Sequence, residues 1–349
     1  MEEGRIWMFV GVVSVTGCLE YPHPLPAPVA ETSSETSTSS DTSTSSGTIA
    51  DSTTDATSTG PIAECGNGEV EDGEECDGTD WNGATCESVG FGLGQLACAS
   101  CQFDVSRCGP PLGMVEVPGG VFEMGSTQQS NEQPIRQVHV DAFWIDETEV
   151  TVEAYAACVD AGACSEPGTS ANCNWKVVGR EDHPVNCLTW FQADSHCRWA
   201  DDGTKRLPTE AEWEKAARGT DGREYPWGDT PTASCTHAVM SAGGTSYYGC
   251  GAGRTWLAGS RPLGVSPYGA HDMAGNVREW TADWYGGQYD PADLVDPAGP
   301  DTGTSRVQRG GAWTNTAPPL RTTARSSSGP GSSSNAVGFR CARTPPAPP

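Results

Sequence analysis

The chain carries fifteen cysteines, and thiolates are the side chains best suited to gripping a soft, redox-active metal. Their placement is uneven. The segment RGGAWTNTAPPLRTTARSSSG, residues 309 to 329, is rich in glycine, hydroxyls and guanidinium groups yet holds no cysteine. The CASC pair, Cys98 and Cys101, has a spacing known from metal and redox centres. No second thiol pair follows it at zinc spacing, however, and no βαβ pattern surrounds it, so structural bridges are the stronger reading. A mononuclear iron site needs two or three histidines, usually with a carboxylate. His139, His183, His196, His237 and His271 include no i, i+4 pair and no recognisable ligand pair. His183 and His271 read first as hydrogen-bonding residues, and iron is held only as a minor alternative.

The elements that must position any site are legible from periodicity. MVEVPGGVFEMGS alternates apolar and polar residues around Gly119-Gly120, which predicts a strand pair turning there. TEVTVEAYAACVDAG shifts to helical spacing through Val152, Tyr155, Ala156 and Val159, and LTWFQADSHCRWADDG does the same through Trp190, Ala193, Cys197 and Ala200. LPTEAEWEKAARG is the strongest local signal. Thr209 caps a helix while Glu212 reaches back, Pro208 and Trp213 are placed for a hydrophobic staple, and Gly219 provides the stop. By itself that helix reads as structure.

Composition divides the chain. A net charge of -26 repels phosphate backbones, so nucleic acid is excluded as a partner. It also opposes any charge-driven contact with anionic lipid. IWMFVGVVSVTGC is a run of signal-peptide length, too short to span a bilayer, and its VTGC ending resembles a bacterial lipobox with Cys18 as the acylated residue. A plain secretory signal with free Cys18 is the alternative, since Glu2 and Glu3 outnumber Arg5 in a region that ordinarily carries net positive charge. Residues 19 to 63 read as a Pro-rich then Ser/Thr-rich tether with too little apolar surface to offset its ordering entropy. Residues 64 to 108 hold six cysteines, enough for three disulfides in place of a core. They resemble short cysteine-rich repeats of secreted myxobacterial proteins. A larger domain spans residues 112 to 343, followed by a Pro-rich tail over 344 to 349. Fourteen cysteines beyond Cys18 make an even number suited to an oxidising compartment. The expectation is an exported protein, lipid-anchored at the envelope or secreted, with lipid as its only route to a membrane.

The segments VPGGVFEMGS, EVTVEAYAAC, HPVNCLTWFQA, KRLPTEAEWEKAARG, YPWGD, YGAHDMAGNVREWTADWY, RGGAW, RTTARS and GFRCAR together resemble the formylglycine-generating enzyme, or sulfatase-modifying factor, family. They follow the family's order and cover nearly all of residues 114 to 343. The resemblance implies a mixed α/β fold of low regular secondary structure, related to C-type lectins and preceded here by the small disulfide-rich module. In the family's oxidases two thiols after the Gly-Gly pair hold copper(I). Here that stretch is Thr314, Asn315, Thr316, Ala317, Pro318 and Pro319, and the serine after the glycines is Ala312. Hydroxyls and amides do not replace thiolates for copper(I), so no copper is expected. One family bridge is lost at both ends, at Ala217 and Thr322, while the other implies a Cys197 to Cys341 disulfide.

Further expectations rest on the same resemblance. A calcium site maps to Asp272, Gly275, Val277 and Glu279, whose carboxylates and carbonyls suit a hard cation; the alternative is a Glu279 that only caps or pairs within the loop. A second family calcium site lacks its Asn and Asp, and a Cys235 to Cys250 disulfide would close that loop instead. The family cleft binds an extended peptide, with Trp313, Asn315, Arg321, Arg325 and Asn335 as candidate lining residues for a peptide or small-molecule ligand. The alternative for Arg321 and Arg325 is pairing with internal acids. The resulting expectation is a surface-tethered binding protein without oxidase chemistry. An oxidoreductase of the formylglycine-generating or non-haem iron type with unidentified ligands is the alternative, and a structural envelope component a weaker third.

Overall fold

The structure, a computed structural model, describes residues 65–346 apart from Asp72 and Gly244. The leader, Cys18 and the tether over 19 to 63 lie outside the described residues. Within residues 65 to 108 a small module is stapled by Cys65–Cys101, Cys76–Cys98 and Cys86–Cys108. Strand β1 (Phe91–Gly94) pairs with β4 (Cys108–Pro111), and β2 (Ala97–Ala99) pairs with β3 (Gln102–Asp104). The buried carboxylate of Asp77 accepts from the Gly66 and Gly68 amides, which folds the first loop back on itself. Only a few apolar side chains, Leu96 among them, gather here, so the bridges supply what a core this small lacks.

Strand β5 (Met114–Val117) follows almost without a break. It pairs antiparallel with β8 (Phe143–Asp146), whereas β6 (Gly120–Met124) pairs with β7 (Arg136–Val140). The expected hairpin around Gly119-Gly120 is therefore corrected: the glycines carry the chain from one sheet to the next. Any Cβ at Gly119 would lie 2.9 Å from the Ala142 amide nitrogen, and Gly120 has φ +134, so the crossing demands glycine at both positions. Periodicity gave the two strands correctly but contains nothing that names their partners.

Helices α1 (Val152–Asp160), α2 (Trp190–Gly203) and α3 (Glu210–Arg218) are capped by Thr151, Thr189 and Thr209. Both Thr189/Gln192 and Thr209/Glu212 form reciprocal capping boxes, and α3 ends at Gly219 with φ +67. The apolar faces of α1 and α2 enclose one core with Tyr155, Leu188, Cys197 and Phe339. Helix α3 enters a second with Phe122, Val138, Ile145 and Trp213. Full burial of each such side chain contributes about 1.5–3 kcal/mol. All nine residues of α3 are buried, its charged ones included. Such a helix is stable only if every charge finds a partner.

Those partners come largely from the C-terminal sheet, whose order is β12 (Arg325–Ser328), β11 (Arg306–Arg309), β10 (Arg278–Trp284), β13 (Val337–Gly338). Strand β14 (Ala342–Arg343) joins the first sheet between β8 and β9 (Lys205–Arg206). Side chains alternate across a strand. Glu279 lies opposite Arg309, which lies opposite Arg325, while Trp280 lies opposite Gln308, which lies opposite Ser326. The first set faces α3; the second, joined by Arg278, faces away.

Candidate ligand groove

The face turned to α3 is a network of ion pairs. Arg325 grips Glu210 through Nε at 2.6 Å and Nη2 at 2.7 Å, and Arg309 meets Glu214 at 2.5 Å. Burial works to raise the Glu210 carboxyl, but the guanidinium groups of Arg325 and Arg309 outweigh it and hold Glu210 below the ordinary range. Arg321 forms a fork with Glu132, at 2.6 and 2.9 Å, and also donates to Thr323. The pairing with internal acids is thus the observed state of both arginines. Both nonetheless line the groove, with their charge already paired.

Trp313 lies buried in the turn rather than open to the groove. It is 3% exposed, its indole donates to the Asn335 carbonyl at 3.0 Å, and its ring meets Tyr248 edge-on. The Asn335 amide donates to the Ala171 carbonyl, so Asn335 secures Trp313 from behind. Asn315 accepts from the Ala312 amide through its side chain and holds the Ser241 amide through its carbonyl. Asn315, Arg321 and Arg325 line a groove of about 350 Å³ beside Gly310-Gly311, whereas Trp313 and Asn335 support the turn from outside it. Gly311 has φ +69, and a Cβ there would come within 2.7 Å of Leu320. Glycine is required at that bend.

The wall also holds the paired Glu132 and Arg309, and residues that sequence reasoning passed over: Gln129, Asn131, Arg278, Gln308 and Ser326. One signal was available. In VREWTADW, period-two alternation places Arg278 on the face of Trp280 and opposite Glu279, which singles it out as an arginine on a half-buried strand face.

Among the described residues no thiol approaches this groove. Every cysteine among the described residues is bridged, the larger domain contributing Cys158–Cys164, Cys173–Cys187, Cys197–Cys341 and Cys235–Cys250. Ala217 and Thr322 are wholly buried, and the Thr322 hydroxyl donates to the Arg223 carbonyl. The histidines are dispersed: His183 bonds Thr255, His237 bonds Ser234, and His271 and His139 lie beside Glu147 and Asp141.

Around the loop proposed for calcium, three carboxylates are buried with one guanidinium. Glu279 accepts from Arg340 at 2.7 and 2.8 Å and from the Trp213 indole at 2.7 Å. Glu149 accepts from the Val277 amide and the Asn276 side chain. Asp272, at φ +55, accepts from the Gly259 amide through one oxygen, and its other oxygen is buried without a hydrogen-bond partner. Burial, reinforced by Asp272 and then Glu279, pushes Glu149 well above the ordinary carboxylate range, and burial raises Asp272 too. A buried site with more acids than cations, and one orphaned carboxylate oxygen, fits a hard divalent ion at Asp272. Glu279 has three of its roughly four acceptor positions filled, which leaves it at most one bond to give. The side-chain groups that do converge within 4.8 Å are elsewhere: Cys158, Cys164 and His196; Cys65, Glu74 and Cys101; His139, Asp141 and Asp296. In the first two the sulfurs are already joined as disulfides.

Mixed short sheets, few helices, a glycine-bent groove and an inward-facing arginine network together define a domain of the sulfatase-modifying-factor type. Residues 104–345 match the sulfatase-modifying factor enzyme 1-like domain model, and the chain belongs to that family. It is 34% identical to the formylglycine-generating enzyme of Thermomonospora curvata over 304 residues, which cover 70% of this chain and 99% of that relative. It is 32% identical to the formylglycine-generating enzyme of Bos taurus over 287 residues, or 68% of this chain and 76% of the relative. Among solved structures, PvdO from Pseudomonas aeruginosa superposes with TM-score 0.56 at 25% identity, covering 72% of this chain and 98% of PvdO.

Proposed function

We propose that this chain is a sulfatase-modifying-factor-like protein that binds a peptide or small-molecule ligand in the groove beside Gly310-Gly311 and does not oxidise thiols. The observation that carries this reading is chemical. The groove segment offers only hydroxyl, amide, alanine and proline side chains from Thr314 to Pro319, and each described cysteine is held in a bridge. Copper(I) cannot be gripped by such a set. Calcium at Asp272, with the carbonyls of Gly275 and Val277 and a residual contact from Glu279, would act as a structural ion that offsets the buried acids. Export supports the same reading: seven disulfides need an oxidising compartment. In that setting Cys18 would carry the lipid, and the polar stretch over 19 to 63 would hold the domain off the envelope.

The test is metal analysis of the purified protein alongside incubation with copper(I) and a cysteine-bearing sulfatase peptide. Calcium without stoichiometric copper or iron, and a peptide unchanged by mass spectrometry, is the expected result. Bound copper with conversion of the cysteine to its aldehyde would overturn the reading. Stoichiometric iron would move it to an iron-dependent oxidoreductase.

A further inference from the structure

Arg278 and Gln308 form a wall common to the groove and to a smaller cavity of about 130 Å³ lined also by Ser327, Ser328, Ser332 and Ser333. The register explains the convergence. Arg278 and Trp280 are two apart on β10, Gln308 lies opposite Trp280, and Ser326 lies opposite Gln308, so all four side chains share the face turned away from α3.

Arg278 differs from the arginines on the α3 side. Its Nη1 donates to the Ser326 hydroxyl at 3.3 Å, its Nε is buried with no partner, and no carboxylate among the described residues lies within ion-pair distance. This occurs in a chain of net charge -26, where counter-charges are plentiful. Burial alone holds its guanidinium below the ordinary value. Gln308 is 2% exposed, and it lines both the groove and the smaller cavity beside Arg278. A half-buried cation without an anion, one of its N–H groups buried and unpaired, is costly unless something else satisfies it.

We propose that Arg278 and Gln308 form a subsite for a carboxylate of the bound ligand. The assignment rests on the reading of the groove as a ligand site and specifies what that ligand carries. A planar guanidinium fork matches the two oxygens of a carboxylate, and the Gln308 amide and nearby serine hydroxyls supply further donors. One guanidinium balances one negative charge. A phosphate dianion would remain under-neutralised in so acidic a molecule. The carboxylate is either a peptide C-terminus or an Asp or Glu side chain.

Calorimetric titration of the mature chain with three acetylated penta-alanine probes tests the subsite: one with a free C-terminus, one amidated, and one amidated with a central Glu. Inorganic phosphate is a fourth probe. A carboxylate-bearing probe should bind about tenfold or more tightly than the neutral one, the scale of a charge-assisted hydrogen bond. Whichever of the two carboxylate probes shows the preference identifies the source. Arg278→Gln should abolish the preference, and Gln308→Glu should do so by placing an internal carboxylate beside Arg278. Arg254→Gln, at an exposed arginine, should leave it intact. Equal binding of charged and neutral probes, a preference that survives both wall variants, or phosphate binding more tightly than either carboxylate probe overturns the subsite while leaving the groove reading in place. Failure of every probe to bind overturns both.

Discussion

His196 is buried at 4% exposure, stacked on Tyr155 at 5.3 Å, with its Nδ1 lacking any partner. Burial first, and then the nearby Lys205 charge, lower it from the ordinary 6.5 to about 4. The folded protein therefore disfavours the proton more than the unfolded chain does. The stability this gives is fully present above 6.5 and is lost as the pH falls toward 4. The loss amounts to about 3 kcal/mol if the whole shift is expressed. Urea unfolding from pH 7 to pH 4 should show His196→Phe, which keeps the stacking, losing less stability than the wild type by up to that amount. Parallel curves for the two proteins would remove His196 as the origin of the acid sensitivity.

At the scale of the element, α3 exposes no residue, so its ends and its charges must both be satisfied. Thr209 accepts from the Glu212 amide at 3.1 Å, and Glu212 returns a bond to the Thr209 amide while also holding Arg206 at 2.6 Å. Thr209→Ala should cost about 1 kcal/mol in urea unfolding, the usual worth of an N-cap. No loss would show that packing alone fixes the helix start. This helix was legible in the sequence because caps are local, decided by residues three apart. Beyond the local Glu214–Arg218 pair, the fate of its acids was not. Glu210 and Glu214 meet arginines 115 and 95 residues away, and nothing within LPTEAEWEKAARG announces those partners. The same physics governs the groove. Its glycine bend and missing thiols could be read from RGGAWTNTAPP, but the neutralisation of Arg321 and Arg325 depends on long-range register. So does the placement of Arg278 and Gln308 on the opposite face, along the groove.

Across the whole molecule the bridges do unequal work. Cys197–Cys341 closes a separation of 144 residues and joins α2 to the last strand region, whereas Cys158–Cys164 spans 6. In the chain-entropy account the former removes more freedom from the unfolded state, about 5 kcal/mol against about 2. Paired Cys→Ala variants of each should differ in unfolding free energy by roughly that gap, and equal losses would point to local strain as the governing effect. The C-terminal sheet bears on change over longer times. Alternate positions of β10, β11 and β12 answer to opposite demands, one set clasping a helix and the other bringing Arg278, Gln308 and Ser326 to the groove. Substitution in the second set can therefore retune recognition while the clasp stays untouched, so relatives with the same backbone are free to diverge in what they hold.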